Sequence, residues 1–283
     1  GFLDKQKKIA LINDLSCLGR CSLTAALPIV SSCGFESVPL PTGVFSAHTE
    51  FDGYVCTDLT DKISEISEHW QKLGVRFDCI YTGYLASIEQ AEIVKRFMLD
   101  FKKSDTVCVV DPVMGDNGKF YKRIDGSFID EMRFLCSFAD IITPNVTEAE
   151  MLAGEDCTTG QHDMEHIKDL IMKLRSTGAV RIVITGVDFG DGQIGCAAYD
   201  SISGKANMFF TPKVEGRFPG TGDVFTSSLT AAFMSGRDFI DAVQLAMSFT
   251  SECVEYTSKS DVDRKYGLCF EPFISEYSKA VKS

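Results

Sequence analysis

An α/β fold, with a mostly parallel central sheet and helices on both faces, is expected from three features of this 283-residue chain. Short apolar, β-rich runs alternate with longer stretches of helical period; each strand-like run ends in turn or polar residues; and a hairpin pattern replaces the alternation only late in the chain. KIALIND (8–14) is the first strand and SLTAALPIVSSCG (22–34) the helix after it. DCIYTGYL (78–85) is a strand followed by the helical SIEQAEIVKRFMLDFKK (87–103). DTVCVVDPVMGD (105–116), ADIITPN (139–145) and AVRIVITGVD (179–188) supply three more strands. From Gln193 to Phe210 the pattern turns antiparallel, and two long apolar helices follow, one beginning within FPGTGDVFTSSLTAAFMSG (218–236) and one at DFIDAVQLAMSFTSECVEYT (238–257). Without a linker, repeat or low-complexity segment, the chain reads as one domain over 1–283.

Composition narrows the function classes. Lys and Arg number 28 against 40 Asp and Glu, a formal charge of −12, with no dense basic run. Nucleic acid and anionic membrane are therefore not expected as partners. No apolar run is long enough to span a bilayer. The 11 cysteines form no CxxC pair, and no secretory segment is read at the start, so they are expected to be reduced, mostly buried thiols of a cytoplasmic protein. Cys17 and Cys21 lack the second pair a structural zinc site needs.

Two motif matches are set aside. GDGQIG (190–195) fits G-x-G-x-x-G, but CAAYD after it is a strand pattern where dinucleotide binding needs a helix, so Asp191-Gly192 is read as a hairpin turn. HDMEH (162–166) fits an inverted zinc-protease pattern at the polar start of a surface helix, where two solvated histidines are the expectation. Asn145-Val146-Thr147 matches a glycosylation acceptor that a cytoplasmic chain would not use.

In parallel α/β sheets ligands bind beyond the carboxyl ends of the strands, so the residues to weigh are those just after each strand: Asp14, Thr42, Thr82 to Tyr84, Asp111, Thr143 to Asn145, Thr185 and Gly186. Asp111 precedes Pro112 and is followed by Asp116 in a glycine-bearing loop; Glu148 lies in the first turns of the helix that Asn145 or Thr147 can cap. Three acids at adjacent strand ends suit a magnesium ion that keeps waters and takes nucleotide oxygens. PGTGD (219–223) leaves two readings open. Asp223 is either a helix cap or a base that takes the proton of an attacking alcohol, with Gly220, Thr221 and Gly222 forming an anion hole for the transferring phosphoryl group.

DPVMGDNGK, TPNVTEAEML, VITG and PGTGD, in this order, resemble the vitamin-kinase branch of the ribokinase-like superfamily. With PLPTGVFSAHT (39–49) and YTGYLAS (81–87), they resemble the pyridoxal (vitamin B6) kinase family over about residues 8–257. The resemblance implies a three-layer α/β/α ribokinase-like fold that dimerises as a homodimer. It also implies Mg2+-dependent transfer of the γ-phosphate of ATP to the 5′-hydroxymethyl group of a B6 vitamer, a step of B6 salvage that forms the 5′-phosphate, with a monovalent cation such as K+ among the ions the family can use. Carried over residue by residue, it makes Asp223 the catalytic base and Gly220, Thr221 and Gly222 the anion hole. Asp111, Asp116 and Glu148 become the metal-associated acids. Asp111, Thr143, Asn145, Glu148, Thr185 and Gly186 fall on the ATP side, and Thr42, Tyr84 and Tyr121 line or cover the vitamin pocket. His48 is either a ring contact or a packed, hydrogen-bonded histidine.

The departure follows the first strand, where INDLSCLGRCSL keeps Gly19 but places Asp14 where the family has a pocket serine. Asp14 either faces a cationic vitamer such as pyridoxamine or caps the next helix. A hydroxymethylpyrimidine kinase of thiamine synthesis is the rival enzyme, though relatives of that kind end the anion-hole motif with Cys rather than Asp. A sugar or nucleoside kinase fits FSAHT and GYLAS less well. A non-catalytic B6-binding protein would have no need of Asp223 or its glycines.

Overall fold

The computed structural model describes residues 5–283. Its strands are β1 (Lys8–Leu18), β2 (Glu36–Ala47), β3 (Cys56–Asp58), β4 (Cys79–Thr82), β5 (Val107–Val110), β6 (Gly115–Asp116), β7 (Lys119–Phe120), β8 (Ile141–Ile142), β9 (Arg181–Val187), β10 (Gln193–Asp200) and β11 (Ala206–Pro212). The helices are α1 (Leu23–Ser32), α2 (Thr60–Lys72), α3 (Ile88–Phe101), α4 (Phe128–Phe138), α5 (Val146–Ala153), α6 (Met164–Ser176), α7 (Thr221–Met234), α8 (Phe239–Lys259) and α9 (Ile274–Lys282).

Nine strands form one sheet in the order β11-β10-β9-β8-β5-β4-β1-β2-β3. Pairing is parallel from β2 through β1, β4, β5 and β8 to β9, and antiparallel at the two margins. Runs such as VCVV, buried on both sides, make these central strands, because a parallel strand faces helices above and below. One face carries a core with Ile12, Ile80, Val110 and Ile142 against α2 to α6; the other packs Ile9, Leu11, Tyr81 and Val109 against α1, α7, α8 and α9. The α/β/α layering is the one the alternation predicts.

The hairpin expected from Gln193 is β10–β11, and GDGQIG forms the turn into β10 rather than a nucleotide loop. The stretch PLPTGVFSAHT lies mostly in β2, which runs parallel to β1 with a break in register between Asn13 and Leu15. The irregularity lies within β1, which stays paired with β2 as far as Leu18, and such a break is a common device for re-aiming a side chain. The small β6–β7 hairpin stands apart beyond β5. Among the described residues no helix is long and apolar enough to cross a membrane. Eight cysteines are buried and all 11 are free thiols, as their spacing predicts.

Candidate active site

The strand ends converge on the start of α7. Gly220 is its N-cap at φ 80°, and a Cβ there would lie 2.1 Å from the Arg20 carbonyl oxygen and 3.2 Å from Cys21 Sγ. Only glycine permits both the left-handed backbone and this approach to the loop after β1. Gly222 faces the other way: the nearest atom to a Cβ built on it would be Asp111 Oδ2, at 3.9 Å. The first N–H groups of α7, which a helix leaves without internal partners, therefore open onto the carboxylate at the end of β5.

The cap of α7 is Gly220, which has no side chain to offer, and Asp223 sits in the first turn. Its Oδ2 accepts the Ser22 N–H at 2.8 Å, and Asn13 adds a side-chain hydrogen bond. Burial pushes its carboxyl up to about 6; the Ser22 N–H opposes that shift, and the charge of Asp14 adds to it. Such a group is ionised near neutral pH yet more basic than a solvated aspartate, a combination suited to taking a proton.

Asp111 is buried, and its carboxyl is held well above the ordinary range by burial, by Glu148 and by Asp223, against a hydrogen bond from Thr143. Thr143 in turn meets Thr226 of α7 hydroxyl to hydroxyl at 2.9 Å, tying the end of β8 to the helix. Glu148 is part of a capping box. Its Oε2 accepts the Asn145 N–H at 2.9 Å, Asn145 Oδ1 accepts the Glu148 N–H at 2.9 Å, and Glu148 Oε1 takes the Met114 N–H at 3.1 Å. Burial pushes Glu148 up to about 8 against these backbone donors. Asp116 is exposed on the hairpin, where Oδ1 accepts the Asn117 N–H. Among the described residues no three His, Cys, Asp or Glu side chains form a metal cage by themselves; Asp111 and Glu148 are buried close to one another and Asp116 lies beside them on the hairpin.

On the nucleotide side, Asn145 bridges to Thr185, whose N–H donates to the Pro144 carbonyl at 2.9 Å, and the exposed Gly186 follows at φ 69°. Of the two candidate caps for α5, Asn145 is the one used, and its Nδ2 also donates to the Gly115 carbonyl at 2.8 Å. Thr147 accepts the Gly118 N–H instead, fixing the β6–β7 hairpin.

A cavity of ≈ 260 Å³ is lined by Phe51, Tyr54, Tyr84, Lys122 and Arg123 among others. Tyr84 has its phenol raised by burial and by Asp14, against Arg123. Tyr121, just after β7, is raised by burial and by the acids Glu148 and Asp116. Thr42 is buried at the edge of this region, its carbonyl accepting from Gln90 Nε2 at 3.1 Å. His48 takes the packed alternative: Nε2 meets the Lys265 carbonyl at 2.5 Å, Nδ1 accepts the Glu50 N–H at 3.3 Å, and the ring edge is 3.1 Å from a Cβ built on Gly19. With both nitrogens occupied by backbone, it is not oriented as a ring contact. Asp14 does not cap α1 either; its oxygens accept the Ser16 and Ser22 hydroxyls at 2.8 Å each.

Sequence reasoning missed Asn13, Ser22 and Arg123. Ser22 and Arg123 adopt positive φ, 55° and 70°, which no local pattern announces. Gly83 was a signal for Asn13, because a Cβ there would come 2.3 Å from Asn13 Nδ2. HDMEH is also corrected. His162 lies outside α6 and accepts the Asp188 N–H, while His166 pairs with buried Glu150 at 2.8 Å; neither is simply solvated, because the loop between α5 and α6 folds back over the helix.

An α/β/α sheet that brings a glycine-formed helix start, an oriented carboxylate and a second buried acid to one edge has the architecture of a small-molecule kinase. The chain belongs to the phosphomethylpyrimidine kinase family, whose model matches residues 63–268. It is 31% identical to the hydroxymethylpyrimidine/phosphomethylpyrimidine kinase of Aquifex aeolicus over 201 residues, 70% of this chain and 73% of that one. A solved structure from Bacteroides thetaiotaomicron, provisionally named a phosphomethylpyrimidine kinase and crystallised with pyridoxal, is 38% identical with a TM-score of 0.91, covering 99% of this chain and 96% of its own. The pyridoxal kinase of Lactobacillus plantarum is 27% identical with a TM-score of 0.88, each chain covered to 98%.

Proposed function

We propose that this kinase transfers the γ-phosphoryl group of ATP to the 5′-hydroxymethyl group of a vitamin B6 vitamer. The observation that carries the chemistry is Asp223, held by the Ser22 N–H beside the open start of α7. The N–H groups from Gly220 to Gly222 would stabilise the negative charge of the phosphoryl group in transfer, and Asp223 would accept the proton of the attacking alcohol. Positioning and charge neutralisation are most of what phosphoryl transfer demands of a protein.

Asp111 fits a magnesium ion, since its buried carboxylate shares its surroundings with other acids and lacks a compensating cation. It would hold the ion with nucleotide oxygens and waters, while Glu148 shapes the loop around it. The ion would neutralise phosphate charge when bound. Asn145, Thr185 and Gly186 would line the nucleotide, and Tyr84 with Tyr121 the acceptor ring.

Support for a B6 acceptor comes from the pyridoxal complex of the 38%-identical relative and from an aspartate at 223. The second reading, hydroxymethylpyrimidine as acceptor, is favoured by the family description and the Aquifex relative. An ATP-consumption assay with Mg2+ over pyridoxal, pyridoxine, pyridoxamine and hydroxymethylpyrimidine separates them. Turnover of B6 vitamers is expected, and turnover of the pyrimidine alone would overturn the assignment.

A further inference from the structure

Asp14 is only 5% exposed, and both its oxygens are engaged: Oδ2 by the Ser16 hydroxyl, Oδ1 by the Ser22 hydroxyl. Ser22 occupies the N-cap of α1 but makes no cap bond with its side chain, which is turned to Asp14 instead. Its backbone stands at φ 55°, ψ −132°, a conformation an L-residue adopts only when its surroundings impose it. One consequence of that conformation is the aim of its N–H, which reaches Asp223 Oδ2 at 2.8 Å. The neighbouring Asn13 works in the same direction. Its Oδ1 accepts the Asp14 N–H at 3.0 Å, its amide sits over Gly83, and it hydrogen-bonds Asp223.

From these contacts we infer that Asp14 is a positioning residue for Asp223, acting through Ser22, and not a contact for a cationic acceptor. The inference rests on Asp223 being the base. A chain of two hydrogen bonds joins Asp14 of β1 to Asp223 in the first turn of α7, 201 residues away from Ser22 in sequence. Asp side chains rotate broadly about their last bond, and tying Oδ2 to a fixed N–H removes that freedom. Asp14 holds Ser22 in the strained conformation that makes this N–H available. The strain is thus placed where a functional group is aimed.

The test compares Asp14→Ala, Asp14→Asn, Ser22→Ala and Ser22→Gly in the full chain, measuring kcat, the KM for ATP and pyridoxal, the pyridoxal-to-pyridoxamine ratio and Tm. Asp14→Ala and Ser22→Ala are expected to lower kcat about 10- to 100-fold, the scale of a misplaced reacting group, with both KM values within about twofold. Asp14→Asn, whose amide oxygen can still accept the Ser22 hydroxyl, should recover most of the lost rate. Ser22→Gly keeps the N–H and accepts positive φ, so Tm should hold or rise while kcat still falls; it also carries the test if the alanine variants do not fold. The double variant should be no slower than either single one, as two parts of one device. A vitamer ratio that shifts with kcat intact would make Asp14 a ring contact and overturn the inference, as would wild-type kcat in both Ser22 variants. Asp223→Asn, run alongside, distinguishes the failures. If it is inactive while the Asp14 and Ser22 variants are intact, the base stands and only this inference falls; if it is fully active, the base reading falls and takes this inference with it.

Discussion

Helices α5 and α7 both begin at the carboxyl edge of the sheet and both carry an acid in the first turn, Glu148 and Asp223. At α5 the acid folds back. Glu148 accepts the N–H of Asn145, Asn145 accepts the N–H of Glu148, and the helix end closes on itself. At α7 the cap is a glycine with no side-chain bond, and the acid reaches outward to the N–H of a residue from another element. The same local signal therefore serves two purposes. A closed end anchors a loop, whereas an open end keeps its N–H groups for an anion.

The largest expected effect falls on the open end. Asp223→Asn should lower kcat by about a thousandfold, within the usual range for losing a general base, with little change in ATP affinity. Single-turnover phosphorylation of pyridoxal would measure it, and a loss below tenfold would break the contrast with Glu148. Gly220→Ala should come next. Left-handed backbone alone costs about 1–3 kcal/mol, and its Cβ would clash with the Arg20 carbonyl, so both urea stability and kcat should drop.

The pH dependence sharpens the comparison further. Because burial holds Asp223 near 6, the acid limb of kcat should fall around pH 6 rather than near the ~3.9 of an ordinary aspartate. A carboxyl raised in the folded state binds its proton more tightly there than in the unfolded chain. Its favourable contribution is present below the unfolded value and lost as pH rises through about 6. Asp223→Asn should thus raise Tm relative to wild type at pH 8 but not at pH 4, the mark of a group retained for function against stability. Asn145→Ala is the smallest case. Uncapping α5 should cost about 1 kcal/mol in urea titration, and the KM for ATP should rise by a few-fold because Asn145 also faces the nucleotide in the proposed site.

The chain's patterning was enough to read the layers and most strands, because apolar period and turn residues act locally and report directly on burial. VCVV, ADIITPN and the Gln193–Phe210 hairpin all appear where the patterning puts them. The strand-end rule likewise picked out Asp111 and Thr143, and the paired glycines of PGTGD the start of α7. What local patterning left undecided was orientation. Nothing in FSAHT says that the His48 ring nitrogens meet Lys265 and Glu50, and nothing in TEAEML says that the Glu148 carboxylate accepts the N–H groups of Asn145 and Met114.

By itself the sequence determined the α/β/α architecture, the edge of the sheet where chemistry is placed, and the residue types gathered there. The tertiary structure alone decided which of those residues face one another. Asp14, Ser22 and Asp223 come together across an irregular strand and two helix starts, through a backbone angle that Ser22 does not favour in isolation. The physical reason is range. Hydrophobic period and turn propensity are set within a few residues, but the aim of a hydrogen bond depends on where the rest of the fold fixes donor and acceptor.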